Sequence, residues 1–125
     1  MDLINTRRRL LGGSYIIITW DPSLDDSYLN DNGVKGGDNS AVHTSNFIDI
    51  SSGTYKLSFN LTTLTAKTFR VHEYTAKNQN TWTGMIFKQV VANTGKYEFT
   101  FQTQGRYIRL SFPKAIADCT IERIA

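Results

Sequence analysis

The side chains with which this chain could do chemistry are few. There are two histidines, His43 and His72, and one cysteine, Cys119. A metal centre would need these residues in ligand spacing. The chain has no His-x-His, no His-Glu-x-x-His and no paired cysteines, so no metal site is expected. A serine nucleophile would need a Gly-x-Ser-x-Gly elbow, which is absent. Glycoside hydrolysis needs two carboxyls at a defined separation around a sugar. Glu73 and Glu98 are the pair to consider, and each falls in an alternating run that reads as surface strand. No glycine-rich loop precedes a helix, so nucleotide binding has no support. The acids between Asp21 and Asp38 would suit a hard cation. Counting back from Gly33, however, gives Asn32, Asn30 and Tyr28, which misses the spacing of a calcium loop. Cys119 alternates with Ile121 and reads as a small buried apolar residue. The expectation is a non-enzyme without metal or cofactor.

Aromatic residues outside the alternating core are the better lead. Trp20 stands beside Asp21, and Trp82 follows the polar loop Asn78-Gln-Asn-Thr81. His72, Arg70 and Tyr74 share the face opposite Phe69 and Val71. A sugar ring offers an apolar C–H face and a rim of hydroxyls. An indole or phenol ring takes the first, and Asn, Gln and Arg take the second. Trp82, Tyr74, His72, Arg70, Asn80 and Trp20 are therefore the candidate glycan contacts. The competing reading has one or both tryptophans filling the core.

The elements that must position these residues are strands. Thr54–Leu61 puts Tyr55, Leu57, Phe59 and Leu61 on one face. Lys96–Gln102 puts Tyr97, Phe99 and Phe101 on one face. Arg106–Phe112 puts Ile108, Leu110 and Phe112 inward, with Tyr107, Arg109 and Ser111 outward. Period-two alternation over such lengths means strands with one buried face. No run shows the spacing of an amphipathic helix. A sheet face must be covered, and a second sheet is the remaining cover. The fold expected is all-β: an antiparallel, jelly-roll-like β-sandwich of about eight strands over residues 14–125, behind a short N-terminal arm, residues 1–13. Further strands are expected at Ser14–Trp20, covered on both sides or starting a central position, at Ser27–Leu29, and over Ala41–Ile50. Two more are Ala66–Ala76 and Trp82–Ala92, and Ala117–Ile124 closes the chain. Asn32-Gly33 signals a hairpin, and Gly36-Gly37-Asp38-Asn39 a second turn.

The 125 residues suffice for one core. The formal charge of +3 is uneven. Arg7, Arg8 and Arg9 against Asp2 give the arm +2, and the remaining eleven bases and ten acids leave +1. Six acids between Asp21 and Asp49 face Lys35 alone. That stretch would repel a phosphate backbone, which argues against a nucleic-acid partner. No segment approaches the roughly 20 apolar residues that span a bilayer, so no membrane partner is expected. Arg7, Arg8 and Arg9 suit a solvated tail, then a segment that docks on a partner subunit, and last a nucleic-acid contact.

The order of pieces carries a resemblance. Ser27-Tyr-Leu-Asn-Asp-Asn-Gly33 precedes Val42-His-Thr-Ser-Asn-Phe-Ile-Asp-Ile50 and Gly53-Thr-Tyr-Lys-Leu-Ser58. Arg70-Val-His-Glu-Tyr74 and Gly105-Arg-Tyr-Ile-Arg-Leu-Ser-Phe112 follow. This resembles the carbohydrate-binding-module-like β-sandwich domains of phage and prophage tail or baseplate proteins. Ile4-Asn-Thr-Arg-Arg-Arg-Leu-Leu11 resembles the arginine-rich lead-in of such proteins. The acidic Asp21–Asp38 stretch departs from the commonest pattern. The resemblance implies a non-catalytic virion module that recognises a host cell-surface glycan, docked on other virion subunits through its arm and homo-oligomeric, with a trimer as the common state. The alternatives are a purely structural virion protein mediating oligomerisation, or an accessory carbohydrate-binding domain of an enzyme at the bacterial cell surface.

Overall fold

The computed structural model describes residues 14–125. The arm, with the docking segment expected at Arg7, Arg8 and Arg9, lies outside the described residues. Eleven strand segments occur in chain order: β1 Ser14–Ile16, β2 Ser27–Leu29, β3 Lys35–Asp38, β4 Val42–Thr44, β5 Ile48–Ile50, β6 Gly53–Leu61, β7 Thr68–Tyr74, β8 Trp82–Val90, β9 Gly95–Thr103, β10 Arg106–Pro113 and β11 Ile116–Arg123. Two single 3-10 turns, Pro22–Leu24 and Gln79–Thr81, are the other regular elements. No helix among the described residues is long and apolar enough to cross a membrane.

Every pairing is antiparallel. One sheet runs β1-β11-β6-β9, and the other β4-β10-β7-β8, with β5 continuing the β4 side of β10. Counting β4 and β5 as one interrupted strand and setting the β2–β3 hairpin aside leaves eight framework strands. Their order is then 1-8-3-6 over 2-7-4-5, the winding of a jelly roll. The sandwich expected from alternation is present; Ser27–Leu29 is the expected strand, and the interruption of Ala41–Ile50 and the added strand β3 raise the count.

Alternation explains the core. Tyr55, Leu57, Phe59 and Leu61 of β6 meet Phe69 and Val71 of β7 and Ile108, Leu110 and Phe112 of β10, all buried. Phe59 stacks on Phe69 with ring centroids 4.2 Å apart, and Phe112 meets Phe69 edge-on at 5.1 Å. Such pairs add to simple area burial. Cys119 packs against this core, and burial pushes its thiol up to about 12, so it is an inert filler.

Three local expectations are corrected. The first strand is shorter than expected and is a sheet edge among the described residues, where β1 pairs only with β11. Ile17 is therefore 73% exposed rather than covered on both sides. Ala41–Ile50 is two strands, because residues 19–20 wedge in where the chain would continue. Trp20 bridges Ser45, and Asn46 N–H donates to Thr19 O at 2.9 Å. Gly36-Gly37 is strand rather than turn. Gly37 pairs with Tyr28, whose ring lies across Gly36, so that a Cβ there would sit 2.6 Å from Tyr28 Cε2. The glycines leave the shelf on which the ring rests.

Candidate functional site

The outer face of the five-stranded sheet carries the sequence-expected residues. Alternation sends Thr68, Arg70, His72 and Tyr74 of β7 there, beside Arg109 and Ser111 of β10. The β2–β3 hairpin folds down over part of this face. Ser111 Oγ accepts from Leu29 N–H at 2.9 Å and lies 2.9 Å from Thr44 Oγ1, which donates to Ser27 O. This hydroxyl chain ties β2 to the sheet with every polar group satisfied. At the hairpin tip, Tyr74 O–H donates to Gly33 O at 2.8 Å. Burial pushes that phenol up to about 12.

The hairpin divides the expected residues into two sets. Tyr74 and His72 are both 0% exposed. Trp82 is half-buried, lies against Gly33, and its indole N–H donates to His72 Nδ1 at 3.1 Å. That bond fixes the neutral tautomer with the proton on Nε2, which has no partner among the described residues. Desolvation, aided by the Arg70 charge, lowers His72 to about 4. In this conformation Tyr74 and His72 present no ring to a ligand. They anchor the hairpin instead.

Trp20 lies elsewhere. It stacks on His43 at 3.5 Å and packs against the core beside Phe112. Burial, and then the Lys114 charge, lower His43 to about 4. Asn80 is exposed in the turn joining β7 to β8, beyond the Tyr74 end of the sheet. Glu73 points between the sheets. It accepts from Thr103 Oγ1 and from Gln104 N–H at 2.9 Å, in a polar cleft of about 430 Å³. Glu98 is on the outer face of the other sheet, paired with Lys56 at 3.3 Å. The two carboxylates do not share a cleft.

Arg70 is the expected contact that reaches an open groove. The groove, about 290 Å³, lies between the β2–β3 hairpin and the approach to β7. Tyr28, Asn39, Lys67, Thr68, Arg70 and Ser111 line it. The Arg70 guanidinium sits over the Tyr28 ring at 5.6 Å. Its Nε donates to Asp31 at 2.9 Å, and Lys88 Nζ takes the other oxygen of that carboxylate at 2.9 Å. These two cations hold the Asp31 carboxyl below its ordinary range. Asn39 Oδ1 accepts from Ala41 N–H, which leaves its amide nitrogen turned to other partners.

Sequence reading missed Tyr28, Asn39, Lys67 and Ser111. A signal for Tyr28 was present: an aromatic in Ser27-Tyr-Leu29 with a glycine pair a hairpin away is a ring laid on a glycine strand. For Lys67 and Asn39 there was none, because only the folded hairpin brings them together.

The acidic stretch is not an open cation site. Asp21 pairs with Arg109, Asp25 and Asp26 with Lys114, Asp31 with Arg70 and Lys88, and Asp38 with Lys35. Among the described residues no group of three His, Cys, Asp or Glu side chains could hold a metal ion.

Gly33 tests the hairpin anchor. Its φ is +77°, and a Cβ would stand 2.4 Å from Trp82 Cδ1. Gly33→Ala is expected to cost about 2 kcal/mol, from left-handed backbone strain and a displaced indole. Chemical denaturation reads the loss. Trp82 emission should shift to the red in the folded variant.

No family model matches the chain, and no curated protein is detectably similar to it in sequence.

Proposed function

We propose that this chain is a non-catalytic binding module that holds a glycan in the outer-face groove. One observation carries the reading: a half-buried tyrosine ring on a glycine shelf, flanked by Arg70, Lys67 and Asn39, in a groove open to solvent. The open edge of the ring suits the apolar C–H groups of a sugar, and the polar side chains suit its hydroxyl rim. The resemblance to phage and prophage tail modules extends the proposal. The ligand is then a host cell-surface glycan, the setting a virion tail or baseplate, and the arm docks the module on other virion subunits. A shallow groove binds weakly, and repeated copies would supply firm attachment.

A glycan array probed with the whole chain tests this. The expected result is retention on at least one glycan, with Tyr28→Ala weakening it about tenfold, on the order of 1.4 kcal/mol. Retention that is unchanged in Tyr28→Ala moves the site elsewhere, and turnover of a retained glycan ends the non-catalytic reading.

A second reading is a structural assembly module. Val90, 64% exposed on the edge strand β8, favours it. It predicts a concentration-dependent oligomer that Val90→Asp dissociates.

A further inference from the structure

We infer that the groove selects an anionic saccharide, with the acidic group held between Lys67 and Arg70. The inference rests on the glycan reading above and names its ligand class.

The argument is one of donors against acceptors. The Lys67 ammonium has three N–H donors, and it has no ion-pair partner among the described residues. Arg70 spends only Nε on Asp31, so its two terminal nitrogens remain free of hydrogen-bond partners among the described residues. Asn39 uses its carbonyl oxygen on Ala41 and has its amide N–H groups to give. No carboxylate lines the groove. Asp31, the acid nearest to Arg70, has both oxygens engaged, one by Arg70 and one by Lys88.

Each hydroxyl of a neutral sugar rim brings an O–H donor as well as its lone pairs, and those donors would find few acceptors here beyond the Tyr28 and Thr68 hydroxyls. An acidic sugar brings the acceptors and the charge that three donor groups lack. The planar Arg70 end suits a two-oxygen anion, whereas Lys67 acts as a point charge on the same group. The open edge of Tyr28 would border the ring of the same residue. Carboxylate and sulfate or phosphate esters share this chemistry.

Affinity electrophoresis of the full chain at about 0.15 M ionic strength separates the cases. Four polymers form two matched pairs: polygalacturonate with its methyl ester, and dextran sulfate with dextran. The expected result is retardation by at least one charged polymer, with its neutral counterpart about tenfold weaker or worse. Lys67→Gln, an exposed change, should weaken the charged interaction about fivefold. Polygalacturonate alone points to a carboxylate ligand, and dextran sulfate alone to a sulfate or phosphate ester.

Equal retardation by a neutral counterpart overturns the charge selection and leaves glycan binding standing. Retardation that survives Lys67→Gln but is lost when Arg7, Arg8 and Arg9 are changed to alanine assigns the effect to the arm and also overturns it. Retardation by none of the four overturns it as well. In that case the glycan array on neutral ligands decides the broader reading separately.

Discussion

Asp21→Asn is expected to cost the fold about 3 kcal/mol, because it strands a buried guanidinium. Arg109 sits on the outer sheet face with its side chain 8% exposed. Its Nε donates to Ser45 O at 2.9 Å, one terminal nitrogen donates to Asp21 Oδ2 at 2.7 Å, and its plane lies 4.3 Å from the Phe47 ring. Removing the Asp21 charge leaves the cation in place without its counter-ion. The reverse change is milder. Asp21 is 21% exposed and can turn to water, so Arg109→Met should cost about 2 kcal/mol, much of it lost packing on Phe47. Burial alone would raise the Asp21 carboxyl. The Ser23 hydroxyl and amide N–H, together with Arg109, outweigh that and hold it below the ordinary value. Urea midpoints of both single variants and of the double variant give the coupling directly. A double variant that costs the sum of the two singles would show that the pair does not act as a unit.

Acid should weaken the fold well before its carboxylates titrate. His72 is lowered from 6.5 to about 4 by its burial and by Arg70. In the folded chain it stays neutral, whereas in the unfolded chain it takes up a proton near pH 6.5. Between those values the unfolded state binds more protons, so stability falls as pH falls, and the loss levels off below about 4. For a side chain with no exposed surface, the loss at pH 4 is on the order of 3 kcal/mol. His43 shifts in the same direction and adds to the slope. Asp21 acts in a lower window. Its contribution is present above its unfolded value and is lost as pH falls through the folded one. Urea midpoints at pH 7 and pH 4.5 should therefore differ strongly in the parent chain. His72→Gln keeps an acceptor for Trp82 and removes its titration, while His43 keeps its own, so the difference should shrink by about half. An unchanged pH slope in that variant would show that His72 is not the acid-sensitive group.

The His72 acid sensitivity acts on the β2–β3 hairpin, since His72 and Tyr74 lie beneath its tip, and Arg70 grips Asp31 within it. The same hairpin forms one wall of the groove through Tyr28. A ligand held there would stabilise the element that covers the outer face, so binding and hairpin stability are linked.

The sequence determined the sandwich, because alternation is a local property. Each of Tyr55, Leu57 and Phe59 is buried where its period-two pattern puts it, and so are Ile108, Leu110 and Phe112. The same pattern placed Arg70, His72 and Tyr74 on one face and Phe69 with Val71 on the other. What it could not tell is what covers the face of Arg70, His72 and Tyr74. The hairpin's anchors join residues 39 and 57 positions apart in Arg70–Asp31 and Lys88–Asp31, and Arg109–Asp21, ahead of the hairpin, spans 88. No local periodicity carries such pairings. An acidic stretch with Lys35 as its one local cation becomes a set of ion pairs when distant strands bring Arg70, Lys88, Arg109 and Lys114 to it. Which aromatics are anchors and which line a groove was therefore decided by tertiary packing: a covering hairpin seals Tyr74 and leaves Tyr28 at the opening.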